Sequence, residues 1–98
     1  HDTAPAKFEI GSKVSNSTIS AGCRIRGSVT GSILGRNVII ERGAVVRDSI
    51  VMEGCIVKEG SVVEHAIVDR SNIIPAGTEL RGTSEEILIQ RKNNKRVA

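Results

Sequence analysis

The chain has no Trp and no Tyr, and its one aromatic residue is Phe8. A globular core of 98 residues normally draws on several aromatic rings, because each buries a large area. Burial therefore falls to Ile, Val and Leu, spread over many short elements. Metal-site spacing is missing as well. The two cysteines, Cys23 and Cys55, stand far apart, and the only histidines are His1 and His65. Three-histidine zinc chemistry is excluded on that count. No apolar run approaches the roughly 18 residues of a membrane span, and the opening HDTAPAKF is polar, unlike a secretory leader. The expectation is a cytoplasmic protein with two reduced, buried thiols and no membrane partner.

A charge of one sign is also scarce. Four of the 14 Lys and Arg residues (Arg91, Lys92, Lys95, Arg96) crowd into the last eight positions, leaving ten bases against 11 acids. The net +3 thus describes a tail, and the body is near neutral. With almost no aromatics to stack bases, that is no footprint for nucleic acid.

What the chain does have is a repeat. Residues 34–50 (LGRNVIIERGAVVRDSI), 51–67 (VMEGCIVKEGSVVEHAI) and 68–84 (VDRSNIIPAGTELRGTS) align as blocks of 17. Three apolar columns emerge: Leu34, Val51, Val68; Ile40, Val57, Ile74; Val46, Val63, Leu80. Gly43, Gly60 and Gly77 recur three places before the last column, each followed by a small residue. The aliphatic positions step by six, six and five, the interval of hexapeptide repeats. Compact residues stand two places earlier, as Ser49 before Val51, Cys55 before Val57 and Ala66 before Val68. In a short strand, i and i+2 face the same way, so both would point inward. Gly, Asn and Ser between the strands suit corners that need positive φ.

The implied object is a triangular coil of three short strands. Successive coils stack about 4.8 Å apart, and aliphatic columns fill a core too narrow for aromatic rings. Upstream, Val14, Ile19, Ile25, Val29 and Leu34 step by five, six, four and five, which predicts a coil shortened by two residues at RGSV. About four coils span residues 11–84. Residues 1–10 read as a linker and approach strand, and residues 85–98 as a final strand (EEILIQR) and a basic tail. The fold class is all-β, a single-stranded parallel β-helix. Its hand does not follow from the pattern, since the usual crossover rule gives the opposite one.

Three strings, VSNSTISAGCRIRGSV, GAVVRDSIVMEGCIV and AIVDRSNIIPAG, resemble in order the C-terminal domain of bacterial ADP-glucose pyrophosphorylases (glucose-1-phosphate adenylyltransferases). DTAPAKF is similar to the linker into that domain, and GTSEEILIQRK to its last strand and basic end. The closest flavour is the regulatory-type, GlgD-like subunit. The resemblance implies a left-handed coil and a role in assembling subunits. It also implies a sugar-phosphate effector held by Arg70, Arg91 and Lys95. At the third position the family carries Arg, and Lys offers only a point charge where a guanidinium would bind bidentately. No Gly-rich phosphate loop is present, so the fragment carries no catalytic residues and no cofactor of its own. The Mg²⁺ and the chemistry of ATP and glucose 1-phosphate would belong to an absent catalytic domain.

Each reading has a plainer counterpart. Arg70 could be a solvated corner residue paired with Asp69. Arg36, Glu53 and Arg70 share one column and read as a structural charge ladder. His65, in an exposed corner column with Asp48 and Gly82, raises the alternative of a hexapeptide acyltransferase with a histidine base, though no loop interrupts the 17-residue columns. A passive assembly module without ligand is the third alternative. An aspartate at Val57, in the central coil, is expected to unfold the domain.

Overall fold

The computed structural model describes residues 4–92. They contain fifteen strands and no helix. The strands form three five-stranded parallel sheets, the sides of a coil of about four turns. Sheet A stacks Lys7–Phe8, Arg24–Ile25, Ile39–Ile40, Ile56–Val57 and Ile73–Ile74. Sheet B stacks Lys13–Ser15, Ser28–Thr30, Val45–Arg47, Val62–Glu64 and Glu79–Arg81. Sheet C stacks Thr18–Ile19, Ile33–Leu34, Ile50–Val51, Ala66–Val68 and Leu88–Gln90. The fold is the left-handed parallel β-helix of hexapeptide repeats. Among the described residues no helix is long and apolar enough to cross a membrane.

The strand register matches the 17-residue blocks. Ile56 pairs with Ile39 and Ile73, and Ile50 with Ile33 and Ile67. The shortened coil lies where RGSV predicts it. Only Arg26 and Gly27 separate the strands Arg24–Ile25 and Ser28–Thr30, whereas residues 41–44 and 58–61 fill the same corner in the next two coils. Gly27 is required there. A Cβ at this position would run into the carbonyl oxygens of Ala44 and Glu41. The approach strand Lys7–Phe8 pairs with Arg24–Ile25 at the edge of sheet A. Leu88–Gln90 pairs with Ala66–Val68 as the last strand of sheet C. The longer corner between Arg81 and Leu88 carries the extra residues, closed by mutual backbone bonds of Thr83 and Glu86 at 2.9 and 3.1 Å.

Two inward residues per strand build the core. Ile25, Val29, Leu34, Ile40, Val46, Val51, Val57, Val63 and Val68 are fully buried, as are Cys23, Val38 and Cys55 one alternation earlier. At about 1.5–3 kcal/mol for each fully buried aliphatic side chain, these columns dominate the stability. The corners take the left-handed conformation that Asn and Gly tolerate. One corner runs Asn16, Gly31, Asp48 and His65, another Gly22, Asn37, Gly54 and Ser71, all at positive φ.

One column of serines, half-buried at Ser17 and buried at Ser32 and Ser49, has a defined task. Each hydroxyl donates to the carbonyl two residues back (Ser15, Thr30, Arg47) at 2.7–2.9 Å. Each then accepts the backbone N–H of the next coil (Ser32, Ser49, Ala66) at 3.0–3.1 Å. The ladder ends at Ala66, which has no hydroxyl to pass on. Where strands bend away at a corner, this ladder satisfies amides that the sheets do not reach.

Candidate functional site

The corner between Val68 and Ile73 carries Asp69 and Arg70. The Arg70 N–H donates to Asp69 Oδ1 at 2.7 Å, which folds the corner tightly and leaves the guanidinium exposed. Side-chain pairing with Asp69 is not what holds Arg70. Among the described residues Arg70 makes no ion pair.

The last strand is tied to this same corner. Asp69 N–H donates to the Gln90 carbonyl at 2.9 Å. The buried Asn72 amide reaches the carbonyls of Asp69 at 3.0 Å, Arg91 at 3.1 Å and Gln90 at 3.4 Å. Cys55 Sγ donates to the Asp69 carbonyl at 3.0 Å from below. One buried side chain thus pins the backbone at Arg91 beside the corner of Arg70, and both arginines are exposed. Lys95, the third expected cation, lies outside the described residues, as does His1.

Asn72 was not singled out by sequence reasoning, although a signal was there. It occupies the column of Cys23, Val38 and Cys55, which is otherwise apolar or thiol. A lone amide in such a column needs acceptors, and the carbonyls at the end of the coil provide them.

A shallow groove of about 460 Å³ runs from Arg70 along the rim of sheet C. Ile33, Ile50 and Met52 form its floor, and Arg36, Glu53 and Arg70 its rim. The three rim residues share a column, as the repeat implies. They make no ion pair with one another, so this column is not a closed charge ladder among the described residues. A closed ladder does exist on sheet B. There Glu64 Oε1 lies 3.5 Å from Arg47 Nη1 and 2.6 Å from Arg81 Nη1, and Arg81 Nε is 3.2 Å from Glu79. Partial desolvation pushes the Glu64 carboxyl up, but the Arg81 and Arg47 guanidiniums outweigh it and hold it below the ordinary 4.5.

His65 sits at a corner with φ +48° and places Nε2 3.7 Å from Asp48 Oδ2. Cys23 and Cys55 are free and buried, and desolvation pushes both thiols up, away from the reactive thiolate. They fill core positions. Among the described residues no three His, Cys, Asp or Glu side chains converge on a metal-sized site.

Comparison with known proteins decides the family. The model of the GlmU-like C-terminal hexapeptide matches residues 4–87, most of the chain. The chain belongs to this hexapeptide family. Two curated proteins share a stretch of high identity with the chain. The glucose-1-phosphate adenylyltransferases of Streptomyces coelicolor and Streptomyces avermitilis are each 52% identical over 46 residues, or 47% of this chain. That stretch covers 12% and 11% of the two relatives, so this hexapeptide chain corresponds to a small part of them. The similarity to glucose-1-phosphate adenylyltransferase is therefore partial.

Proposed function

We propose that this chain is the C-terminal β-helix of a cytoplasmic glucose-1-phosphate adenylyltransferase subunit of the regulatory, GlgD-like type. In that setting it assembles subunits and presents half of an effector pocket. The full protein would join ATP and glucose 1-phosphate into ADP-glucose and pyrophosphate, with Mg²⁺ held by its catalytic domain. Nothing in this chain takes part in that step. The observation that carries the reading is the 52% identity to two such enzymes, read together with the corner where Asn72 ties the backbone of Asp69, next to Arg70, to the Arg91 carbonyl.

Two exposed guanidiniums on a rigid backbone suit a phosphate ester. Each can offer two parallel N–H donors, and neither is engaged by a carboxylate among the described residues. Lys95 would add a third charge. The test is calorimetric titration of fructose 1,6-bisphosphate and related sugar phosphates into the chain, beside the Arg70→Ala, Arg91→Ala double variant. Binding that disappears in the variant supports the effector pocket. Binding that survives it, or no heat with any phosphate, removes the pocket and leaves assembly as the proposed role.

A further inference from the structure

The outward positions of sheet C make an apolar ridge. In register they are Thr18, Ile33, Ile50, Ile67 and Ile89. Ile33 is 50%, Ile50 38% and Ile89 54% exposed, and Met52 and Ile87 flank them at 42% each. A groove lies on either side of the ridge, one under Arg36, Glu53 and Arg70, the other between Asp48 and Ile87. A contiguous exposed strip of this kind marks an interaction surface.

The charge pattern at its rim points to the occupant. Arg36, Glu53 and Arg70 alternate in sign up one edge, one coil apart, with no ion partner among the described residues. Such a column is complementary to itself when read backwards and shifted by one coil. We infer that the outer face of sheet C packs against the same face of a second copy of this chain, with the two coils antiparallel. The two-fold axis runs along the strand direction, between the coils of Arg36 and Glu53. Arg36 then faces the partner's Glu53, and Glu53 the partner's Arg36. Ile33 and Ile50 exchange places across the axis in the same way, as an isologous interface requires. A parallel arrangement would send the two rims to opposite edges and pair none of the charges. Arg70 lies outside the paired rungs, so an anion can still reach it. This rests on the reading that the domain assembles subunits, and it names the face that does so.

The test is sedimentation velocity of the whole chain over a wide range of concentration. Wild type should form a reversible, concentration-dependent dimer. Ile50→Asp, whose side chain faces outward, should be monomeric with an unchanged circular dichroism spectrum, while Thr30→Asp on sheet B should dimerise as wild type does. Arg36→Glu and Glu53→Arg should each weaken the dimer by about tenfold or more, in line with an opposed interfacial charge. The double exchange Arg36→Glu, Glu53→Arg should restore it. A monomeric wild type, a dimer that tolerates Ile50→Asp, or a double exchange no better than the singles would each overturn the proposal. A monomer that still binds sugar phosphates through Arg70 and Arg91 would overturn this face and leave the effector pocket standing.

Discussion

Sheets B and C hang on the same interior and face solvent differently. Outside sheet B, Arg47, Glu64 and Arg81 stand one above another and close on themselves through Glu64. Outside sheet C the stack is isoleucine, and the alternating charges at its rim stay open. Both faces carry the same sign order, arginine, glutamate, arginine, on successive coils. A repeat fixes what points inward, because the next coil must pack on it. It leaves the outward columns free, so one side can be finished within the chain while another waits for a partner.

The largest expected effect erases both faces at once. Val57→Asp buries a carboxylate where neither water nor a partner reaches. An uncompensated buried charge costs several kcal/mol, comparable with the whole stability of a small domain, about 5–15 kcal/mol. The variant should show no cooperative melt, and a wild-type melting curve would refute the column assignment.

Next comes the hinge between the faces. Ser49 joins the end of sheet B to the start of sheet C through Arg47 and Ala66. Ser49→Ala leaves the buried Ala66 N–H without its acceptor, at a cost of about 1–3 kcal/mol, while the Arg47 carbonyl keeps the His65 N–H at 3.1 Å. In a domain of this size, each kcal/mol lowers the melting temperature by roughly 4–8 °C. Ser17→Ala, at the exposed end of the ladder, should cost less.

The smallest effect is the acid sensitivity that Glu64 brings to sheet B. Glu64 has a lower pKa folded than unfolded, so the folded chain binds fewer protons and stability rises with pH. That contribution is present above the ordinary 4.5 and is lost as pH falls through the lowered value. Glu9, ion-paired with Arg26 at 3.2 Å and with Arg24 at 3.5 Å, behaves in the same sense. Melting curves from neutral pH downward should therefore flatten on the acid side for Glu64→Gln.

Much of this architecture is legible in the amino-acid order. Columns such as Leu34, Val51 and Val68 show as a period, and the loss of two residues at Arg26–Gly27 shows as a broken step. The hand of the coil came from resemblance, since side-chain periodicity is the same for either hand. The serine ladder and the Asn72 clamp stayed hidden for another reason. Both join a side chain to the backbone of a different coil, so they depend on where carbonyls and amides lie in space. The open column on sheet C was legible as a column, but its lack of pairing was not. Sign order alone does not separate Arg36, Glu53 and Arg70 from Arg47, Glu64 and Arg81. Of the expected phosphate contacts, Arg70 and Arg91 could be named from motif likeness, while the clamp that ties the Arg91 backbone to the Asp69 corner could not.

The coil that is two residues short has a consequence for how such a molecule can change over time. Arg24 still lands on Ile39, and Ser28 on Val45, although the count between rungs has changed. The rungs above regain the full repeat without a trace of the loss. Position is reset at every corner, much as a typewriter carriage returns to the margin however long the previous line was. Insertions and deletions confined to corners are therefore forgotten one turn later, while a single residue gained or lost inside a strand would turn that strand's inward side chains outward.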